Sequence, residues 1–166
     1  MKQIIILLLL FMSLGILSKE STSSDTGKKL GVGISLFSPT GITGKYWLDD
    51  KKTLEGTLGI GYQEKWGQYL HFVFLYNFAE IKPSLYVYAG GGISFSERYE
   101  KLNPGRGRFV ERDHYFFSPG LRIPIGITYM NREKNFEIYG ELAINIYLSD
   151  RSGFGPGIAI GARYYF

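Results

Sequence analysis

From Lys29 to Phe166 the chain alternates apolar positions with small or polar ones, in eight segments separated by clusters of Gly, Pro, Asn, Asp or Lys. A period of two marks a strand, whose successive side chains point to opposite faces. One face reads Leu30, Val32, Ile34, Leu36; then Ile42, Gly44, Tyr46, Leu48; then Leu54, Gly56, Leu58, Ile60, Tyr62; then Leu70, Phe72, Phe74, Tyr76, Phe78. The second half continues with Leu85, Val87, Ala89, Gly91, Ile93, Phe95, then Phe117, Pro119, Leu121, Ile123, Ile125, Ile127, Tyr129. The last two segments are Phe136, Ile138, Gly140, Leu142, Ile144, Ile146, Leu148 and Phe154, Pro156, Ile158, Ile160, Ala162, Tyr164, Phe166. No charge falls on this face. The ~148 residues after Ser18 allow roughly 18 per strand and connector, enough for membrane-crossing strands of about nine to eleven residues. Eight strands close a small barrel.

Alternation alone does not say which face points outward, because a soluble barrel has the same period with an apolar interior. The second face decides. It carries Gly31, Gly33, Gly59, Gly61, Gly90, Gly92, Gly126, Gly157 and Gly161 and few of the long charged residues that a water-facing sheet needs. Small residues suit a narrow lumen. The apolar face ends in aromatics at two heights, Tyr46, Tyr76, Phe78, Tyr129, Phe136, Tyr164 and Phe166 at one and Tyr62, Phe95, Phe117 and Phe154 at the other. These read as the two girdles of a membrane-spanning barrel. The expected fold is thus all-β, an eight-stranded antiparallel up-and-down transmembrane barrel over residues 29–166. Outer loops are expected near Phe37 to Gly41, Gln63 to Gly67, Glu97 to Tyr115 and Ser149 to Gly153. Inner turns are expected near Asp49 to Lys52, Ala79 to Ser84 and Asn131 to Asn135.

The first residues read as an address. Met1-Lys2-Gln3 is a short cationic start, and Ile4 to Leu17 is an apolar run interrupted only by Ser13 and Gly15. That run is shorter than the about 20 residues a spanning helix needs and gives way to small polar residues, so residues 1–18 are expected to be a signal peptide and 19–28 a flexible periplasmic lead-in. Zero cysteines exclude disulfides, cysteine-ligated metals and a cysteine nucleophile. Tyr 13, Phe 12 and Gly 22 favour β structure. Nineteen basic against fifteen acidic residues give +4, too scattered for a nucleic-acid binder. Gly90-Gly91-Gly92 lies inside a strand with no Gly-Lys-Ser/Thr after it, and reads as close backbone packing.

Gly31-Val32-Gly33-Ile34, the turn Pro39-Thr40-Gly41, Gly44-Lys45-Tyr46-Trp47-Leu48 and the closing Gly161-Ala162-Arg163-Tyr164-Tyr165-Phe166 resemble a family of small outer-membrane β-barrels with an OmpA-like transmembrane fold. The resemblance implies an eight-stranded barrel in the outer membrane of a diderm bacterium, and no activity. Phe166 with Tyr164 on the same face also looks like the signal read by the outer-membrane assembly machinery, and equally like a last girdle residue.

The register turns Lys45, Glu55, Arg122, Glu137, Glu141 and Arg163 inward. A lone buried charge costs several kcal/mol, roughly, so these six are expected to pair and plug the lumen, with Asn145, His71, Tyr139, Tyr147 and Tyr165 adding hydrogen bonds. The alternative is an ion gate or selectivity ring, hence a narrow pore for ions or small solutes. An enzyme acting on lipid with Ser and His would have to use His71 or His114, with Ser94, Ser96, Ser118 or Asp113 nearby. No spacing unites base, acid and nucleophile, so no catalytic residue, metal or cofactor is expected. The loop 97–115 carries Arg98, Lys101, Arg106, Arg108 and Arg112, a flexible cationic stretch able to meet an anionic sugar, a lipopolysaccharide phosphate or an acidic protein, or simply a solvated loop. The sequence is therefore read as a monomeric structural or surface-interaction barrel. Its expected partners are outer-membrane lipid and lipopolysaccharide, the assembly machinery and an extracellular ligand, with a surface adhesin, a pore and a lipid-modifying enzyme as alternatives.

Overall fold

The computed structural model describes residues 29–61, 67–101, 113–148 and 153–166, with side chains except at 61, 98–101 and 113–117. The address and lead-in lie outside the described residues. Eight strands follow one another, β1 (Leu30–Phe37), β2 (Thr40–Trp47), β3 (Lys52–Gly61), β4 (Gly67–Lys82), β5 (Leu85–Lys101), β6 (Asp113–Met130), β7 (Phe136–Tyr147) and β8 (Gly153–Tyr165). Each pairs antiparallel with its sequence neighbours, and β1 pairs with β8 to close the barrel. Closure removes the free edges that an open sheet of eight strands would present to a hydrocarbon surrounding.

The alternation read from the sequence is the alternation observed. On β7 exposed and buried residues succeed one another without a slip from Phe136 to Leu142, and Glu137, Tyr139, Glu141, Ala143, Asn145 and Tyr147 are buried. Leu30, Val32, Ile34, Ile42, Leu54, Phe74, Leu121, Ile123, Ile125, Leu142 and Ile158 all face outward. A belt of that size would be untenable in water and is the face that lipid covers. Tyr46, Tyr76, Phe78, Tyr129, Phe136, Tyr164 and Phe166 also face outward, gathered at the end of the barrel that carries the 48–51, 83–84 and 131–135 connections. We call this the turn end, and the opposite one the loop end.

Three connections differ from expectation, the first being the loop expected from Phe37 to Gly41, where only Ser38 and Pro39 lie between β1 and β2. The turn expected from Ala79 to Ser84 is only Pro83 and Ser84, because β4 runs on to Lys82 through register irregularities between Asn77 and Ala79 and between Glu80 and Lys82. Such bulges let a ladder continue past residues that would otherwise end it. The long loop expected from Glu97 to Tyr115 is shorter, since β5 and β6 stay paired from Glu97↔Phe117 to Lys101↔Asp113. The two strands thus form a paired ribbon that continues past their last partners on β4 and β7. At the turn end, Asp49 Oδ1 accepts from the Lys51 and Lys52 amides at 2.9 and 2.8 Å. The Lys51 N–H foremost holds this carboxyl below its usual range.

Inside, three tyrosines lie on glycines directly across the ladder, Tyr165 on Gly31, Tyr88 on Gly126 and Tyr139 on Gly161. A Cβ at Gly161 would stand 2.5 Å from the Tyr139 ring and from Ile34 O. Each glycine lets a phenol lie flat along the wall and reach into the lumen. Gly161→Val is therefore expected to cost about 1–3 kcal/mol by overpacking, read as an earlier urea midpoint in bilayers. Gly140→Ala, whose new Cβ meets nothing within 4 Å, should match the parent. Equal midpoints for the two variants would show that Tyr139 has room to move.

Candidate functional site: the charge network of the lumen

The six charged residues expected inside all stand there, each no more than 4% exposed. Their organisation follows from β7. Glu137, Glu141 and Asn145 lie four residues apart on one strand, so the period of two aims all three into the lumen, one above another.

Glu137 is the hub nearest the turn end. Lys45 Nζ donates to its Oε1 at 2.7 Å, from β2 across the lumen. Arg163 Nη1 of β8 donates to its Oε2 at 3.2 Å, and the hydroxyls of Thr128 and Tyr165 also donate to this carboxylate. Arg163 continues to Thr43 Oγ1 with Nε and Nη2 at 3.2 and 2.9 Å, and its guanidinium lies 3.9 Å from the centre of the Tyr139 ring. Higher up, Arg122 Nη2 donates to Glu141 Oε1 at 2.7 Å and Tyr88 OH to Glu141 Oε2 at 3.0 Å. Above these, Arg122 Nη1 and Tyr69 OH both donate to Asn145 Oδ1, at 2.9 and 3.2 Å. Donors from β2, β4, β5, β6 and β8 thus converge on acceptors of one strand.

Glu55 is held differently. Arg163 Nη2 lies 2.7 Å from its Oε2, yet that oxygen has no hydrogen-bond partner, since the guanidinium N–H groups are aimed at Thr43 and Glu137. His71 Nε2 lies 3.5 Å from Glu55 Oε1, and neither ring nitrogen of His71 has a hydrogen-bond partner. Near the loop end, the Ser38-Pro39 link bends inward. Ser38 N–H donates to Ile158 O at 2.9 Å, and Pro39 is buried. A Cβ at Gly157 would meet Asn145 Nδ2 at 3.0 Å, Arg122 Nη1 at 3.1 Å and Ser38 O at 3.5 Å, so the link lies close to the upper part of the network.

Thr43, Thr128, Tyr69 and Tyr88 were not among the polar partners named from the sequence. All four occupy inward register positions, and that register was the signal available for them. Of the cationic loop residues, Arg98 and Lys101 fall within β5, paired with Phe116 and Asp113, while Arg106, Arg108 and Arg112 lie outside the described residues. Tyr164 and Phe166 face outward at the turn end, their rings edge to face at 5.2 Å. Among the described residues no group of three His, Asp or Glu side chains gathers to hold a metal.

The N-terminal β-barrel domain of Pseudomonas aeruginosa OprF superposes with a TM-score of 0.62 over 83% of this chain and 96% of that one, at 16% identity. Neisserial surface protein A gives 0.50 over 83% and 94%, also at 16% identity. The fold is that of the small outer-membrane β-barrels. No family model matches the chain, and no curated protein sequence does. At these identities the likeness to OprF and to the Neisserial protein concerns architecture alone.

Removing the hub carboxylate leaves Lys45 and Arg163 buried with a partner missing, so Glu137→Ala should cost about 3–5 kcal/mol. Lys52→Ala breaks the exposed Asp49 pair, 3.2 Å apart, and should cost under about 1 kcal/mol. Urea unfolding in bilayers compares the two, and similar losses would mean that the lumen network does not hold the barrel.

Proposed function

We propose that this chain is a non-catalytic, monomeric barrel of the bacterial outer membrane, exported by its N-terminal address, with a plugged lumen and its loop end outside. The charge pairing of the side chains that fill the lumen is the observation that carries the reading. An eight-stranded barrel is just wide enough to be filled by side chains, and here Lys45, Arg163, Tyr69 and Tyr88 reach partners on strands with which theirs share no ladder, while Arg122, Tyr139 and Tyr165 meet partners on the neighbouring strand. Charges that cancel and are tied in place hold a shape rather than escort a solute.

Purified, heat-modifiable protein in a planar bilayer at neutral pH is expected to give no discrete conductance steps. Reproducible steps that change with Lys45 or Glu141 substitution would make the chain a pore and end this reading.

The contact with the surroundings then belongs to the loop end. Among the described residues the β5–β6 ribbon stands tallest there, and the sequence continues into Asn103-Pro104-Gly105-Arg106-Gly107-Arg108, whose composition suits an anionic sugar, a lipopolysaccharide phosphate or an acidic protein surface. Deleting Asn103 to Phe109 should leave heat-modifiability intact and reduce adhesion of expressing cells to a heparin-coated surface. Unchanged adhesion would remove the ribbon from the reading.

A further inference from the structure

The lumen is neutral only while one residue stays neutral. Lys45, Arg122 and Arg163 balance Glu55, Glu137 and Glu141, and His71 is the remaining titratable group among them whose ordinary range lies nearest physiological pH. Its surroundings differ from those of the other six. Glu137 and Glu141 each accept several hydrogen bonds, whereas Glu55 Oε2 accepts none and is kept by the charge of Arg163 at 2.7 Å. His71 is buried with both nitrogens unpartnered, so taking up a proton breaks no existing hydrogen bond and offers Glu55 Oε1, now 3.5 Å away, a charged donor. Thr57 of β3 and Ser94 of β5 stand across the ladder from His71, and Tyr69 of its own strand lies edge-on at 5.6 Å between centroids. Glu55 of β3, Arg122 of β6 and Arg163 of β8 are the charged groups around it.

The geometry points to an acid-gated anion path through this barrel, with protonation of His71 as the trigger. Two effects act together once the imidazolium forms. Glu55 is drawn toward β4 and away from Arg163, which loosens the ion pair tying β3 to β8 across the lumen. The lumen also acquires one uncompensated positive charge in a low-dielectric enclosure, which admits a small monovalent anion and rejects cations. At neutral pH His71 is unprotonated and the plug is intact. This inference rests on the plug proposed above, and asks what one added proton does to it.

The test is planar-bilayer recording of the intact protein under a potassium chloride gradient, stepped from about pH 7 to about pH 3, well below the ordinary imidazole range. The expected record is silent at neutral pH and shows steps at acid pH, with a reversal potential on the chloride side. His71→Gln, which has no proton to gain, should lose the acid steps. Glu55→Gln gives the lumen its extra positive charge permanently, so it should pass chloride already at neutral pH; the heat-modifiable band shift verifies that both variants are folded. Silence of the parent at acid pH, cation selectivity there, or acid steps that persist in His71→Gln would each overturn the inference and leave the plug standing. Steps of the parent at neutral pH would instead overturn the plug.

Discussion

The polar network inside this barrel depends on one strand carrying acceptors at every second inward position. Glu137, Glu141 and Asn145 project from β7 into the same column, and donors from five other strands end on them. A charge removed from water is tolerable only with a partner close by and its remaining hydrogen-bonding capacity used. Glu137 meets that condition with four donors, Lys45, Thr128, Arg163 and Tyr165, drawn from β2, β6 and β8. The network therefore links strands that share no ladder. Lys45 reaches Glu137 past β1 and β8, and Tyr69 reaches Asn145 past β5 and β6.

The glycines make that reach possible. An inward tyrosine standing upright in so narrow a tube would collide with the opposite wall. Laid along a glycine on the adjacent strand, it delivers its hydroxyl to a carboxylate, as Tyr165 and Tyr88 do for Glu137 and Glu141. Backbone pairing closes the sheet, glycine sets how near the walls approach, and the polar network fixes which strand faces which across the interior. The apolar outer face contributes little to this choice, because lipid tails are as apolar as Leu and Ile.

The architecture was legible because two signals of different origin agreed. Alternation fixed the faces from Leu30 to Phe166, and the sorting of aromatics by height showed which face meets lipid. The inward placement of Lys45, Glu55, Arg122, Glu137, Glu141 and Arg163 followed from the same register. Pairing did not, since Lys45 and Glu137 lie 92 residues apart and meet only through closure of the tube. Glu55 sits directly across the ladder from Val73 and Lys45, yet its close contacts are with Arg163 and His71, a choice made by side-chain reach rather than by register. The ends of β4, β5 and β6 differ from expectation because the alternation of apolar and small residues stops before the strand pairing does. Beyond the bilayer a paired ribbon bears charge freely.

The wall of this tube is uneven. β2 has eight residues, bounded by Ser38-Pro39 on one side and by the Asp49 turn on the other, whereas β4, β5 and β6 have 16, 17 and 18. With a rise of about 3.3 Å per residue and a tilt near 40°, eight residues climb roughly 20 Å, less than the apolar band of about 25 Å that such barrels present. Lipid on the β1–β2 side must shorten, tilt its chains or lower its headgroups to meet the protein, at a cost of fractions of a kcal/mol per Å of mismatch. The molecule thus carries a built-in direction in the plane of the membrane: a thin, strained sector of bilayer on one flank and an ordinary one on the other.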